Sequence, residues 1–382
     1  MHIRFWAAGM GLLFTASCGA AAPASSPAGS AAQSKPAAVA SASAKPAGSA
    51  AASGSATAKP AASASAKPVA SGAAGASAAP KQLGRYKFGA SAINSNLLPI
   101  QLGVEHGLYT KYGATVDFNP TGLGNTTVAA MQSGEIAAAF VNPSNVAEAV
   151  AGGSDVRSVM SISNKPSYLL VVTPDISKPE DLKGKSFAVA NPGGQANVVA
   201  EVFLSQYGLK HGQNITLINL GTEPTRVQAV QSGQVAATII NPTFKDRIGN
   251  LKILLDLREQ STGLAGASLA IAGPILKNQP DAAEAFVKGT WEGIKLVVDP
   301  AQKDKVIAGF KKYLQIEGPA AEEAYKEMQK DFQGALPPKL DPAGLAKSMQ
   351  VLSETNPALK TLSPDKVIDS SIVDRLIAQG FK

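Results

Sequence analysis

The chain has 382 residues, a length that suits two domains, with 45% hydrophobic, only 5% aromatic and only 16% charged residues. Its formal charge is +7, yet Arg4, Lys35, Lys45, Lys59 and Lys67 all precede the first acid, Glu105, so the remainder stands near about +2. The basicity belongs to an N-terminal tail, which excludes recognition of nucleic acid by a basic face; the single cysteine, Cys18, excludes an internal disulfide.

Residues 1–17 (MHIRFWAAGMGLLFTAS) place one early Arg before a short apolar run, the layout of a secretory leader and too short to span a bilayer. The string Thr15-Ala16-Ser17-Cys18-Gly19 is similar to a bacterial lipobox, with Thr15 where Leu is usual; it predicts a lipid anchor on Cys18, the alternative being ordinary cleavage near Ala20 to Ala22. Residues 18–82 are an Ala/Ser/Pro/Lys tract with repeats such as SASAKPAGSA and SASAKPVASG. Small side chains remove too little apolar surface to offset backbone ordering, and recurrent Pro opposes helix, so this tract is expected to be a disordered tether reaching on the order of 45 Å.

From Tyr86 the pattern becomes that of a globular body. Tyr86 to Ala90 alternates as a strand, Leu97 to Tyr112 has helical spacing closing at Gly113, and Thr115 to Phe118 is a strand. A helix over Thr126 to Gln132, a strand over Ile136 to Val141, a helix to Gly152-Gly153 and a strand over Val156 to Ile162 follow. The next strands are Tyr168 to Val172, Ser186 to Ala190, Ile215 to Leu220, Lys252 to Leu257 and Ala267 to Ala272, with a helix from Gln195 to Tyr207. Beyond Pro274 the chain is mostly helical, and Trp291, Ile294 and Val298 share a face that reads as core. Strands separated by helices predict parallel pairing with right-handed crossovers.

One sentence of this pattern is written twice. Val128 to Pro143 reads VAAMQSGEIAAAFVNP and Val227 to Pro242 reads VQAVQSGQVAATIINP, nine of sixteen positions being identical. A period of about one hundred residues is too long for a solenoid and predicts two related lobes. We expect a first lobe over 83–172, a second over 173–265, and a crossover with return to the first lobe and C-terminal helices over 266–382.

The stretches Ile100-Gln101-Leu102-Gly103-Val104-Glu105-His106-Gly107-Leu108-Tyr109, Gln132-Ser133-Gly134-Glu135-Ile136-Ala137 and Asp181-Leu182-Lys183-Gly184-Lys185 resemble, in order and spacing, the nitrate/sulfonate/taurine family of ABC-transporter substrate-binding proteins. That resemblance covers roughly residues 84 to 300. It implies an α/β, two-lobed type II periplasmic-binding-protein fold: two doubly wound mixed sheets joined by two crossover strands, with a helical C-terminal part. It also implies a monomer outside the cytoplasm that closes on a small solute and presents it to a membrane permease driven by a separate ATPase. No cofactor and no metal are expected.

In open α/β sheets a ligand sits beyond the carboxyl ends of the strands, where helix N-termini offer unpaired N–H groups. The turns placed there contain Ser91 and Asn94, Gly124 and Asn125, and Asn142 in one lobe, and Asn191, Gly193, Gly194 and Gln195, Thr222, and Asn241 in the other. Asn142 and Asn241 either cap the following helices or touch the ligand. Gly193-Gly194 is the favoured anion-receiving loop and is expected to move toward the Ser91 and Asn142 rims on closure. Thr222, before Glu223-Pro224, reads as an N-cap. Tyr168 either stacks on the ligand or packs, and Gln101 is carried over from the resemblance. Gly122-Leu123-Gly124 lacks the third glycine and acid of a dinucleotide site.

These rims contain Glu223 but no cluster of acids and no evident Arg, a set that suits a sulfonate, another diffuse anion or a polar heterocycle, a thiamine-precursor-like pyrimidine or aromatic acid being the alternative. At a ceiling of about −1.5 kcal/mol per heavy atom, nitrate binds no better than tens of micromolar, so tighter binding needs a larger guest. An enzyme on the same fold, of the kind that serves thiamine-pyrimidine or menaquinone synthesis, lacks material here: His2 is in the leader, His106 and His211 stand near expected helix ends, and no Ser/His/Asp arrangement is evident. A ligand-sensing module is the other class.

Overall fold

A computed structural model describes residues 81–191, 193–260 and 263–382. The leader, the tether and Cys18 lie outside the described residues. The first segment runs β1 (Gly84–Ala90), α1 (Leu98–Glu105), β2 (Ala114–Pro120), α2 (Gly124–Gln132), β3 (Ala138–Val141), α3 (Pro143–Ala151) and β4 (Val156–Ser161). The second runs β5 (Leu169–Val172), β6 (Ser186–Val189), α4 (Gln195–Gln206), β7 (Thr216–Asn219), α5 (Glu223–Gln231), β8 (Ala237–Ile240) and β9 (Lys252–Asp256). The chain then returns through β10 (Ser268–Ala272), α6 (Gly273–Asn278), α7 (Pro280–Val298), α8 (Lys303–Gly309), α9 (Pro319–Asp331), α10 (Pro342–Leu352) and α11 (Ser371–Ala378).

The strands form two five-stranded sheets with one plan: β2-β1-β3-β10-β4 and β7-β6-β8-β5-β9. In each sheet three strands pair in parallel and a fourth enters antiparallel next to a fifth: β10, which returns from after the second sheet, between β3 and β4, and β5, which opens the second sheet's stretch of chain, between β8 and β9. The expected two-lobed, doubly wound mixed architecture is therefore observed. The expected first-lobe boundary at 172 is corrected, because β5 hydrogen-bonds within the second sheet. All four β5 residues are buried, and an apolar run of that kind needs sheet neighbours and cover on both faces; its sequence does not say which sheet supplies them.

The duplicated segment folds alike in both lobes: α2-turn-β3 and α5-turn-β8, with β3 and β8 at equivalent sheet positions. Its Ser-Gly ends each helix the same way. Gly134 and Gly233 take positive φ (76° and 72°), and the next residue reaches back, Glu135 N–H to the Ala130 carbonyl and Gln234 N–H to the Ala229 carbonyl. This is a Schellman closure, which favours glycine at that residue. A similar closure, with Leu108 N–H on the Gly103 carbonyl at 2.8 Å, stops α1 at Glu105. The helix expected to run on to Tyr112 is thus shorter, and Thr110–Tyr112 forms a separate 3₁₀ turn before Gly113.

The first lobe's core joins the sheet to α1 and α7: Phe88 meets Tyr109 and Phe286 edge-on at 5.4 and 4.8 Å, and Trp291 and Ile294 are buried with them, as their spacing predicts. Burial of each large apolar side chain stabilises by about 1.5–3 kcal/mol. A second apolar cluster crosses between lobes, because Leu345, Met349 and Leu352 of α10 pack with residues of α3 and α4. The two connections between lobes run close together: a Cβ on Gly266 would lie 1.8 Å from the Ser163 carbonyl oxygen, and Ile162 N–H donates to the Ala267 carbonyl at 2.8 Å. Among the described residues no helix is long and apolar enough to cross a membrane.

Candidate functional site

The carboxyl ends of β1, β2 and β3 face those of β6, β7 and β8 across a cavity of about 470 Å³, within the 300–1,000 Å³ of small-molecule sites. The segments after β1 (Ser91, Ala92, Ile93, Asn94), β2 (Gly122, Leu123, Gly124) and β3 (Asn142, Asn145) supply one wall. Tyr168 and the segments after β6 (Asn191, Gly194, Gln195), β7 (Thr222, Glu223) and β8 (Phe244, Arg247) supply the other, and Tyr313, Leu314 and Gln315 close the rim. Ile93 and Leu123 are exposed large apolar side chains at this wall.

Charge is one-sided. Glu223, Arg226 and Arg247, the wall's charged residues, all come from the second lobe. Arg226 is buried and consumed by its own lobe: its guanidinium donates to the Gly221 and Ile239 carbonyls and to Thr238 Oγ1, and lies 3.8 Å from Glu223. Glu223 Oε1 accepts the Asn241 N–H at 3.0 Å. Burial pushes its carboxyl above the usual range, against the opposing pull of Arg226, the Asn241 N–H and Arg247. Arg247 stacks on Phe244 at 4.8 Å and donates to the Leu314 carbonyl at 2.7 Å. Burial likewise raises the Tyr168 hydroxyl, whose O–H faces Gln195 Oε1 at 3.4 Å.

Three wall residues hold a buried polar atom without a hydrogen-bond partner among the described residues: Ser91 Oγ, Asn145 Oδ1 and Glu223 Oε2. Such atoms are few in folded proteins and each calls for a reason; four more lie elsewhere among the described residues, on Asn96, Gln101, Trp291 and Asp331.

The sequence matches the NMT1/THI5-like family over residues 94–303, more than half of the chain. The chain belongs to this family. No curated protein matches it by sequence. Among solved structures it is similar to the periplasmic sulfonate-binding protein SsuA of Methylobacillus flagellatus KT (TM-score 0.62, 16% identity, covering 79% of this chain and 96% of that one). It is also similar to the periplasmic nitrate-binding protein NrtA of Synechocystis PCC 6803 (TM-score 0.62, 13% identity, 80% and 90%) and to the alkanesulfonate-binding protein SsuA of Xanthomonas axonopodis pv. citri bound to MOPS (TM-score 0.58, 17% identity, 77% and 98%). These likenesses establish a type II periplasmic-binding-protein fold.

In this NMT1/THI5-like chain the structure brings together Ser91, Asn94, Gly124, Asn142, Tyr168, Asn191, Gly194, Gln195 and Thr222 around the cavity. Four other residues expected there, Gln101, Asn125, Gly193 and Asn241, are not among its lining. Gln101 is buried within α1. Asn125 is exposed one residue into α2. Gly193 packs between lobes instead: its carbonyl accepts Ser144 Oγ at 3.3 Å and Asn145 Nδ2 at 3.2 Å, and a Cβ would strike Glu148. The loop expected to approach the Asn142 rim thus sits on the first turn of α3. The two equivalent asparagines divide their roles: Asn241 caps its turn, accepting Thr243 N–H at 3.1 Å and Ser95 Oγ from the other lobe at 3.1 Å, while Asn142 makes no capping bond and lines the cavity. Thr222 stands at the N-cap of α5, but its hydroxyl pairs with Thr225 rather than with the backbone. His106 ends α1 as expected; His211 lies beyond α4 and accepts the Leu217 N–H at 3.0 Å.

Sequence reasoning missed both arginines. Arg226 lies one helical turn beyond Thr222, and Arg247 ends the 3₁₀ segment Pro242–Arg247 that follows Asn241, so counting one turn inward from the first rim and two from the second finds them. Nothing local points to Tyr313–Gln315, which arrive from the C-terminal helices.

Because Glu223's carboxyl is raised, its ionised form opposes folding: wild-type stability is fully present below the unfolded value and declines as pH rises through the folded one. Glu223→Gln keeps the acceptor for Asn241 N–H without the charge. We expect urea titrations to show the variant at least as stable as wild type at neutral pH, with its advantage shrinking on acidification. An advantage that grows as pH falls contradicts the burial argument.

Proposed function

We propose that this protein is an extracytoplasmic solute-binding protein that holds a small organic anion or polar solute, sulfonate-like in character, between its lobes and delivers it to an ABC importer. The observation that carries this reading is the cavity itself, built from the strand carboxyl ends of both sheets with unpaired polar atoms in its wall. Its volume far exceeds what nitrate needs. The apolar Ile93 and Leu123 side suits a carbon body, while the second-lobe side with Arg247 suits a charged or strongly polar head. Binding rather than catalysis is favoured because the wall's titratable groups are Glu223, two arginines and two tyrosines, with no nucleophile–base pair among them. A second reading, an aromatic acid or aminopyrimidine, draws on Tyr168 and Phe244 in the same wall, with Glu223 as acceptor. We further propose that the mature chain is a monomer held to the membrane through Cys18 by its tether.

A thermal-shift screen of the full chain against alkanesulfonates and taurine, small inorganic anions, aromatic acids and pyrimidines tests this. A ligand at one hundred times its Kd stabilises by about 2.7 kcal/mol, a rise of about 5 °C for a body of this size. At least one class is expected to produce it, and Arg247→Met to abolish it if the ligand is an anion. A folded sample that responds to none of the four classes refutes the reading.

A further inference from the structure

Besides the neutral contacts of Ser95 with Asn241 and of Gly193 with α3, two seams join the lobes, and they differ in kind. One is apolar, where α10 packs Leu345, Met349 and Leu352 against α3 of the first lobe and α4 of the second. The other is ionic. Helix α9 belongs to the first lobe, whose core receives Ala321, Ala324, Met328 and Phe332. Four-residue spacing puts Glu323, Glu327 and Asp331 along one helix face, and that face meets the second lobe. Lys245 Nζ reaches Glu323 at 2.7 Å and Glu327 at 3.3 Å. Arg258 reaches Glu327 at 2.6 Å and Asp331 at 3.1 Å while also held by Asp256. Asp331 accepts Ser167 Oγ at 2.6 Å, so the stripe touches both connections between lobes. Arg247, two residues from Lys245, continues the seam to the cavity rim through the Leu314 carbonyl.

Stability alone does not account for this arrangement. Asp331 is the last residue of α9, where a negative charge opposes the helix dipole, and its side chain is wholly buried with Oδ2 unpaired. An interface made of charges can be resolvated as it parts, whereas an apolar one exposes surface that water rejects.

We propose that the α9 stripe Glu323, Glu327 and Asp331, with Lys245, Arg247 and Arg258, is an ionic clasp that opens and recloses the cavity while the α10 seam stays shut as the pivot. The clasp rests on the solute-binding reading for its purpose, but its motion is testable without any ligand. Spin labels in the full chain carrying Cys18→Ser, at Lys326→Cys and Asn250→Cys, span the ionic seam; a second pair at Gln350→Cys and Gln206→Cys spans the apolar one. Distances are measured by pulsed electron resonance at 0.1 M and 1 M NaCl, which shortens the screening length from about 10 Å to about 3 Å, and in Glu323→Gln, a half-exposed site that does not endanger the fold. The expected result is a new longer-distance population across the ionic seam, raised about threefold by Glu323→Gln and raised also by salt, with the α10 pair unchanged. An ionic-seam distance indifferent to both salt and Glu323→Gln, or the two pairs lengthening together, overturns the clasp. Either result leaves the ligand screen to decide the binding reading separately.

Discussion

Gly266→Ala is expected to destabilise the protein by at least the roughly 1–3 kcal/mol of an overpacked core and to change how the lobes are set relative to one another. The new Cβ would stand 1.8 Å from the Ser163 carbonyl oxygen and 2.6 Å from its carbon, both backbone atoms that no rotamer change removes. The two connections are tied at this point by Ile162 N–H on the Ala267 carbonyl and by Ala267 N–H on Ser163 Oγ at 3.1 Å. The variant must separate them or lose those bonds, whichever strains less. Urea unfolding gives the loss, and the same spin-label pairs report the lobes' setting. A variant as stable as wild type, with unchanged distances, shows that the connections have room the structure denies.

The second large effect is expected at Arg226. Replacing it with Met leaves three acceptors (the Gly221 and Ile239 carbonyls and Thr238 Oγ1) short of a donor and leaves Glu223 buried without its neighbouring cation. Breaking one partner of a buried pair costs about 3–5 kcal/mol. Since part of that cost is the stranded carboxylate, the double variant Arg226→Met/Glu223→Gln is expected to recover a measurable share of it, and the single variant to regain stability as pH falls. Equal stability of the single and double variants across pH would show that Arg226 acts through the carbonyls alone.

Much of this architecture was legible from residue order because the sequence states it twice. The repeated Gln-Ser-Gly, apolar strand and Asn-Pro each encode a local device: helix closure, a buried strand, and a turn at the strand's carboxyl end. Local devices survive without tertiary knowledge, so the strands, the two lobes and nine wall residues could be placed. What was not legible depends on distance in space. The membership of β5 in the second sheet turns on hydrogen bonds to β8 and β9 that no local pattern announces. Gln101 was carried over from the family resemblance, and it is buried within α1 rather than set in the cavity wall. Gly193 reads as part of an anion-receiving loop, and the contact that uses it comes from Glu148 and Asn145, some fifty residues earlier in the chain.

The placement of β5 and β10 also fixes which lobe is able to assemble first. All five strands of the second sheet fall within 169–256, an uninterrupted stretch. In the first sheet β4 is joined to the other strands through β10, so that sheet stays unfinished until more than a hundred further residues are available. As the chain is made from its N-terminus, the second sheet is therefore complete before the first, and any pause or truncation short of residue 272 strands β4 as an open, aggregation-prone border.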